Sequence, residues 1–358
     1  MDKCFSGKSE SEQMRHWWTK WTVWEYFPWW LANVPVYGIY LWFALRARHF
    51  FFFSNVNPAI PLGGAMGESK KAILDLLPAH LKPATVFVPA GAALSDIENL
   101  MRSAGIKFPV VAKPDVGERG FLVQKFDDPD ALGRHLRRYS ADFLIQEFLS
   151  HPMEATVLFH RFPAGGRFGI TSVCTKEFLH AMGDGASTVR ELMLRTPRSA
   201  FQIERLEREQ PDLMARVPAA GEVLLLEPIG NHARGTKFLN ANNLIGPDMI
   251  AAFERVCSEI EGVHFGRFDM KCTSVDALRR GEFLAMELNG VFADPAHVYD
   301  PEYGALRAYR HYARHWRILF ELHREQRRRG IRPASYREAF RIIQDYFRYK
   351  KRLQNGQV

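Results

Sequence analysis

The sequence predicts an α+β fold in which two lobes built from strands and helices enclose a binding cleft. Of 358 residues, 47% are hydrophobic and 25% are charged, which are the proportions of a folded globular protein. Apolar runs of strand character occupy residues 108–113, 143–149, 265–271 and 283–288, with helical patterns between them. This mixed order is typical of layered α+β domains with a cleft between lobes.

Further elements follow from local periodicity and from the Gly and Pro residues that interrupt it. In chain order we expect a helix at about 68–77, a strand at 85–88, a helix at about 95–104, long antiparallel strands at 147–162 and 167–178, and a helix at 249–261. We divide the chain into an aromatic segment (1–53), a short region before the core (54–107), a central core (108–301) and a helical tail (302–358).

Two acidic residues and an amide lie near the ends of the last two apolar runs. Asp269 follows Gly266-Arg267-Phe268, and Glu287 lies two residues before Asn289. Like charges in a half-buried place are costly unless a cation neutralises them, and oxygen ligands favour Mg²⁺. We therefore predict that Asp269, Glu287 and Asn289 bind Mg²⁺, since a salt bridge would leave Asn289 without a role. Arg267 shares a strand face with Asp269 and is predicted to bind a transferred phosphoryl group.

A lysine and two glycines upstream form a candidate phosphate-binding loop. Lys113 ends a β-rich run, and Gly117 and Gly120 follow it. Lysine at the end of a strand followed by a glycine loop suits phosphate binding. The alternative is a solvated lysine at a sheet edge, which is common in soluble proteins.

The run at 143–149 predicts a strand that ends in a nucleotide hinge. We expect Gln146, Glu147 and Leu149 to contact adenine, largely through the backbone, and the carboxylate of Glu154 to accept hydrogen bonds from ribose hydroxyls. Three basic residues near the glycines at 230 and 235 are candidates for binding an anionic substrate or the transferred phosphoryl group: His232, Arg234 and Lys237. The alternative for His232 is a solvated loop histidine.

In this order, these motifs resemble those of the ATP-grasp superfamily, in particular the carboxylate-amine ligases related to D-alanine:D-alanine ligase. The resemblance covers about residues 66–301. Residues 175–192 are similar to the Gly-Asp-Gly segment in the ATP-grasp half of cyanophycin synthetases, and residues 230–238 to a group of uncharacterised bacterial ATP-grasp proteins with an aromatic N-terminus. The resemblance implies an ADP-producing ligase that uses ATP and two Mg²⁺ ions, replaceable by Mn²⁺, and forms an amide through an acyl-phosphate.

The resemblance also places a first nucleotide-binding lysine near the start of the helix at 68–77. Lys70 and Lys71 both match that place, and Lys70 is our choice. Residues 54–107 are too short for the βαβ lobe that precedes the core in D-alanine ligases, so D-alanine is a doubtful substrate. An alternative function is a membrane-associated nucleotide-binding module without ligase turnover, against which the intact acidic pair argues.

The net charge of +8 is concentrated at the C-terminus. From Arg307 onward, fifteen Arg or Lys residues stand against four acidic ones, a net charge of +11. Aromatic and aliphatic residues recur among them at helical intervals, which predicts two amphipathic basic helices divided near Gly330 and Pro333. Such helices can bind anionic lipid, nucleic acid or the acidic surface of their own protein. No nucleic-acid-binding motif accompanies them, so we expect no nucleic-acid partner.

The aromatic segment carries seven of the eight tryptophans, and its residues Tyr26 to Leu45 form a charge-free stretch of 20 residues. Pro28 and Pro35 interrupt this stretch, and Trp prefers the headgroup boundary of a bilayer. Three interpretations remain: an interfacial or re-entrant anchor, which we favour, an aromatic core packed on the ligase, and a single membrane span. The favoured one implies an anionic membrane surface as partner and a lipid-linked or envelope-related substrate.

Cysteine usage and the N-terminal residues indicate the compartment. The four cysteines, at positions 4, 174, 257 and 272, form no Cys-x-x-Cys pair and no zinc-binding spacing, which favours a reducing compartment. The first fifteen residues carry charges of both signs and predict no cleavable signal peptide. We expect a cytoplasmic protein that is peripheral or monotopic on the inner face of the cell membrane.

Overall fold

The computed structural model describes Phe27 and residues 29–117 and 120–355. These residues fall into two compact units. Unit 1 contains the described residues up to Gly38 together with residues 176–239 and 298–310, and unit 2 contains residues 39–175, 240–297 and 311–358 as far as they are described. The tryptophans at 17, 18, 21 and 24 lie outside the described residues.

Helices and strands share the described residues, so the predicted α+β class is confirmed. The α-helices are α1 (Trp29–Ala47), α2 (Lys70–Asp75), α3 (Leu94–Ser103), α4 (Pro129–Arg138), α5 (Val189–Met193), α6 (Pro197–Ala200), α7 (Ile203–Glu209), α8 (Pro211–Ala215), α9 (Pro247–Ser258), α10 (Val275–Arg279), α11 (Ala305–Arg328) and α12 (Tyr336–Asn355). The strands are β1 (Thr85–Val88), β2 (Val110–Pro114), β3 (Gln124–Phe126), β4 (Phe143–Glu147), β5 (Met153–Arg161), β6 (Phe168–Glu177), β7 (His180–Met182), β8 (Val223–Leu225), β9 (Lys237–Asn240), β10 (Phe265–Cys272) and β11 (Leu284–Asn289).

Unit 2 contains an antiparallel sheet in the order β1-β4-β2-β3. Its residues pack on α3 and α4 through a core that includes Ile97, Leu132, Phe143 and Ile145. Asp128 begins α4 as its N-cap, because its carboxylate accepts a hydrogen bond from the Ala131 N–H at 2.8 Å. The sheet thus places β2 and β4, which carry Lys113 and the predicted hinge, beside each other in its centre.

The second sheet has the order β11-β10-β5-β6-β9, and the boundary of the two units passes through β6 and β9. Large aromatic side chains fill the unit 2 core behind it, where Phe159 stacks on Phe268 with ring centroids 5.1 Å apart and Phe253 stacks on Phe283 at 5.3 Å. Because side chains alternate along a strand, burying Phe268 turns Arg267 and Asp269 to the opposite face of the sheet.

The prediction of one long strand at 147–162 is wrong. β4 ends at Glu147 in the first sheet, and β5 begins at Met153 in the second. Pro152 has no N–H to donate to a ladder, and Phe148 N–H donates instead to the Pro109 carbonyl at 3.2 Å. The chain therefore leaves one sheet and enters another within five residues. The other predicted elements differ from the structure by a few residues at their ends, as for α2, where Ser69 is the N-cap.

The aromatic helix α1 contributes to the unit 2 core with one face only. Tyr40 and Phe43 are buried, with ring centroids 4.9 Å from Trp316 and 5.5 Å from Phe320 of α11. On the other face Leu41, Trp42 and Leu45 are exposed. Among the described helices, none is long and apolar enough to cross a membrane. The two predicted basic helices are present as α11 and α12.

A buried asparagine ties the loop after α1 to the second sheet. The Asn57 carboxamide oxygen accepts hydrogen bonds from His264 N–H at 2.8 Å and Phe265 N–H at 3.0 Å. Its amide nitrogen donates to the carbonyls of Gly63 at 2.9 Å and Phe265 at 2.8 Å. With four hydrogen bonds the side chain is satisfied although it is fully buried.

Unit 1 has a small core of its own. β7 pairs with β8, and the short helices α5 to α8 pack around Val189, Met193 and Leu206. A capping box begins α5, where Thr188 and Glu191 each bond the other's backbone N–H. Residues 179–226 thus have a hydrophobic core of their own.

Candidate functional site

The predicted metal ligands lie on one face of the β10–β11 ladder. Asp269 is directly opposite Glu287, and Arg267 is directly opposite Asn289. Directly opposed residues of an antiparallel pair point to the same face, as do residues two positions apart on one strand. The four side chains therefore form a compact polar group, which we call the acidic face, in which carboxylates on two strands are neighbours.

Arg267 is bound to Asp269 through two parallel hydrogen bonds. Its Nε donates to Oδ1 at 2.7 Å and its Nη2 to Oδ2 at 3.1 Å, while Nη1 donates to the Asp294 carbonyl at 3.0 Å. Burial alone would lower the pKa of Arg267, but attraction to Asp269 outweighs it, so this pKa lies above its ordinary value. The sequence predicted that Asp269 binds Mg²⁺ and that Arg267 binds a phosphoryl group, whereas the structure shows the two side chains as a bidentate pair.

Asn289 provides a test of whether a cation fits here. Its amide nitrogen is buried and has no hydrogen-bond partner among the described residues. The two ends of an amide are assigned by their partners, and a hard cation would take the oxygen end. The donor set of two carboxylates and one amide therefore fits Mg²⁺. Within the described residues, no cluster of three or more His, Cys, Asp and Glu side chains is arranged to hold a metal ion.

The close packing behind Asn289 depends on glycine. A Cβ on Gly290 would lie 2.4 Å from the Gly63 carbonyl oxygen and 2.6 Å from Gly64 Cα. The Val291 N–H also donates to the Gly63 carbonyl at 3.1 Å. The end of β11 is thus pressed against the loop that follows α1, which fixes the position of Asn289.

Lys113 is buried on β2, so the solvated strand-edge alternative is wrong. Its side chain is 6% exposed, and Nζ donates to the Met286 carbonyl at 2.8 Å and to Gln146 Oε1 at 3.2 Å. Burial lowers the pKa of Lys113 to about 8, against the opposing attraction of Glu287. The Met286 contact links β2 of the first sheet to β11 of the second, which brings a cation next to the acidic face.

The structure distinguishes Lys70 from Lys71. Lys70 Nζ donates to the Gly117 carbonyl and lies 3.7 Å from Glu287 Oε1. Lys71 is exposed and pairs with Asp75 at 2.6 Å. Only Lys70 adjoins both the glycine loop and the acidic face, as chosen from the sequence.

Asp115 positions the start of α2, and the sequence analysis did not identify it. Its Oδ1 accepts hydrogen bonds from Ser69 Oγ at 2.9 Å and from Lys71 N–H at 2.8 Å. Its carbonyl accepts from Lys70 N–H at 2.9 Å. The sequence signal that could have identified Asp115 is its position directly after Lys113-Pro114. Of the glycines in this loop, Gly120 has a φ of 70°, which favours glycine, while residues 118 and 119 lie outside the described part.

The predicted hinge is built from side chains that are already engaged. Gln146 Nε2 donates to Thr85 Oγ1 at 3.0 Å, and Glu147 Oε1 accepts from Ala84 N–H at 2.9 Å. The Leu149 backbone carbonyl accepts a hydrogen bond from Lys271 Nζ at 2.9 Å. Lys271 is directly opposite the buried Glu154 in the β5–β10 register. Lys271 was missed, and its signal was a lysine two residues after Asp269 on the same strand face.

The three predicted substrate-binding residues belong to unit 1. Arg234 lies 3.5 Å from Glu227, and Lys237 lies 3.9 Å from Glu177. The His232 ring packs between Phe238 at 5.4 Å and Tyr299 at 5.3 Å. His232 is thus part of an aromatic cluster, and the two cations have carboxylate neighbours within their own unit.

Comparisons with known proteins give distant structural similarities only. The sequence matches no protein-family model, and no curated protein matches it. Similar solved structures include a D-alanine–D-alanine ligase from Bacillus anthracis, with a TM-score of 0.43, 13% identity and coverage of 73% of this chain and 69% of that one. The D-cycloserine synthetase DcsG gives a TM-score of 0.39 and 16% identity over 69% of this chain and 70% of that one.

A bifunctional glutathione synthetase from Pasteurella multocida is also similar, with a TM-score of 0.34 and 14% identity. That match covers 64% of this chain but only 33% of the synthetase, so this chain corresponds to about a third of it. Identities of 13–16% are too low to transfer an activity, which therefore rests on the residues of this chain.

Proposed function

We propose that this protein is an ATP-dependent carboxylate-amine ligase. The observation that supports this most is the position of the buried Lys113 beside Glu287 and Lys70 in unit 2. A buried cation next to an acidic pair is costly to maintain and suits a triphosphate accompanied by a metal ion.

The two lysines, the predicted hinge and the acidic face then each have a chemical role. Lys70 and Lys113 would bind phosphate oxygens and offset their charge, and the hinge at 146–149 together with Glu154 would bind adenosine. Asp269, Glu287 and Asn289 would hold Mg²⁺, which supplies charge neutralisation of the phosphates when bound. The substrate carboxylate attacks the γ-phosphate to give an acyl-phosphate and ADP, and an amine then displaces phosphate to form the amide. Positioning and charge account for most of such catalysis.

The Arg267–Asp269 pair supports a more specific proposal. Asp269 accepts one hydrogen bond from Arg267 on each carboxylate oxygen, and we propose that Mg²⁺ competes with the guanidinium for these oxygens and opens at least one of the two hydrogen bonds. The released guanidinium would then be available to the transferred phosphoryl group. If the pair stays closed, the protein binds nucleotide without turnover, which is the second candidate function.

The decisive experiment measures ADP release by the full-length protein with ATP, Mg²⁺ and a panel of amino acids or cell extract, and analyses the products by mass spectrometry. A ligase releases ADP only when a carboxylate and an amine are both present, and a product of their summed mass less water appears. Tight ATP binding without ADP release under every condition of the panel would favour the nucleotide-binding module. Arg234, Lys237 and His232 remain proposed ligands of an anionic substrate group.

We also propose that unit 2 binds an anionic membrane surface. The exposed side of α1 continues onto α12, because Phe50 N–H donates to Tyr336 Oη at 3.1 Å and Phe51 lies 5.8 Å from Phe340. Exposed aromatic and aliphatic residues make up this surface, which we call the aromatic surface: Leu41, Trp42, Leu45, Phe50, Tyr336, Phe340 and Phe347. Arg46, Arg48, Arg337 and Arg341 are exposed on the same segments. Apolar area and basic charge together are what a peripheral anchor requires.

A further inference from the structure

Unit 2 contains a cavity that includes none of the predicted site residues. Its volume is about 410 Å³, enough for a small molecule, and its lining comes from the end of β5, the turn at Gly165–Gly166, the segment at 261–264 and the end of α11. Three arginines and a histidine line it: Arg161, Arg167, Arg329 and His264.

Two of these arginines have no carboxylate within salt-bridge distance among the described residues. Arg161 Nη2 donates to the Ile260 carbonyl at 2.8 Å, and Arg329 Nη1 approaches Gln326 Oε1 at 3.5 Å. Arg167 differs, because it lies 3.4 Å from Glu321 and stacks on the Phe162 ring at 3.5 Å. The cavity therefore presents two guanidinium groups whose charge the described protein leaves uncompensated by an ion pair.

His264 shows that this positive charge extends into the wall of the cavity. The residue is 8% exposed, and its Nδ1 has no hydrogen-bond partner among the described residues. Burial, and to a smaller extent the charges of Arg161 and Arg329, lower the pKa of His264 to about 4. Glu254 and Glu261 also line the cavity; they are exposed to solvent, as is Arg329, so screening weakens the fields of all three, whereas Arg161 is half-buried.

We infer that this cavity binds a phosphate group, at a site separate from the acidic face. Planar guanidinium groups match the geometry of phosphate oxygens and are the usual protein donors to them. Phosphate could come from a soluble phosphorylated molecule or from a lipid headgroup. The second source has structural support, because Ile331 of the cavity accepts a hydrogen bond from Asn55 at 2.8 Å and precedes Tyr336 of the aromatic surface by five residues.

The test measures binding of inorganic phosphate and of sn-glycerol 3-phosphate to the full-length protein by isothermal titration calorimetry. Arg329→Gln should weaken binding by about tenfold or more, as loss of one charge-assisted contact predicts. Arg328→Gln is the matched control, because Arg328, the last residue of α11, is exposed like its neighbour Arg329 but does not line the cavity. It should change the dissociation constant by less than about twofold, as expected for a surface charge that does not contact the ligand.

Two further variants keep the result interpretable. Arg161→Gln should weaken phosphate binding as Arg329→Gln does, and thermal melting checks its fold, because Arg161 also holds the Ile260 carbonyl. Lys113→Ala should leave phosphate binding at the cavity intact, which separates this site from the proposed nucleotide site. The absence of phosphate binding by the native protein, equal effects of Arg328→Gln and Arg329→Gln, or loss of binding in Lys113→Ala would each overturn the inference.

Vesicles distinguish the two sources of phosphate. If the headgroup is the ligand, Arg329→Gln should lower sedimentation with phosphatidylglycerol vesicles more than Arg328→Gln does, and glycerol 3-phosphate should compete. If the ligand is soluble, Arg329→Gln and Arg328→Gln should sediment alike, and only the calorimetric binding of phosphate should differ between them. Both results support a phosphate site, and the calorimetry decides whether the site exists.

Discussion

Replacing Lys113 by methionine should weaken ATP binding while leaving the fold intact. Methionine keeps most of the side-chain volume but removes the charge that β2 places beside Glu287 and Lys70. The Met286 carbonyl and Gln146 Oε1 lose a hydrogen-bond donor, so a stability loss of about 1–3 kcal/mol should accompany the change. Thermal melting measures that loss separately from binding.

The magnitude follows from the strength of one charge-assisted contact. Such a contact contributes about 1.5–3 kcal/mol, and about 1.4 kcal/mol corresponds to a factor of ten in affinity. The ATP dissociation constant should therefore rise by roughly tenfold to a hundredfold. Lys107→Met is the matched control, because Lys107 is exposed just before β2 and should leave affinity unchanged.

The pH dependence gives an independent check. The pKa of Lys113 is lowered to about 8 by burial, so its ammonium loses its proton as pH rises through that value. ATP affinity of the native protein should fall between about pH 7 and pH 9, and the affinity of Lys113→Met should not follow this titration. The assay is calorimetry at fixed ionic strength across this range. If Lys113→Met is folded and binds ATP as tightly as the native protein at pH 7, the assignment of Lys113 to phosphate binding is wrong.

Three further predictions concern the metal, acid stability and the membrane. Glu287→Gln keeps the side-chain shape but removes a charge opposite Asp269, so it should abolish turnover or weaken Mg²⁺-nucleotide binding, and a native rate of ADP release would contradict its role. Burial lowers the pKa of His160, His264 and His323 to about 4, so the unfolded chain binds more protons between pH 6.5 and 4. Stability should be complete above pH 6.5 and fall by up to about 1.4 kcal/mol per pH unit for each histidine below it, and a urea midpoint that does not change from pH 7 to 5 would refute this. Trp42→Glu should reduce sedimentation with anionic vesicles, whereas Met182→Glu, at a residue of unit 1 with 62% exposure against 60% for Trp42, should not, and the same sedimentation for both variants would contradict the aromatic surface.

Much of the acidic face could be predicted because strand geometry is local. Asp269 and Glu287 lie in apolar runs whose alternation sets their direction, and residues 273–283, which include α10, return the chain so that the two strands pair antiparallel. The burial of Lys113 and the Arg267–Asp269 pair could not be predicted. The burial of Lys113 depends on the Met286 carbonyl, which belongs to another sheet. The sequence does not decide whether Arg267 pairs with Asp269 or with a phosphoryl group.

The aromatic segment shows why charge and hydrophobicity alone left alternatives open. The sequence predicted an aromatic segment, but its composition does not indicate which side chains the rest of the protein covers. In the structure, the core-packing interpretation is right for Tyr40 and Phe43, whereas Leu41, Trp42 and Leu45 remain exposed. The hydrogen bond between Asn57 and His264 joins residues about 200 positions apart, and no pattern within either segment predicts it.

The four hydrogen bonds of Asn57 have a mechanical consequence. Asn57 forms hydrogen bonds with the backbone of Phe265, two residues before Arg267, and with the Gly63 carbonyl. The Gly63 backbone packs closely against Gly290, which directly follows Asn289. The loop that follows α1 therefore contacts both strands of the acidic face, β10 and β11, next to the residues that form it. Because Tyr40 and Phe43 of the aromatic segment pack in the same core as Phe265 and Val291, the segment from Ile39 onward supports the strands of the acidic face.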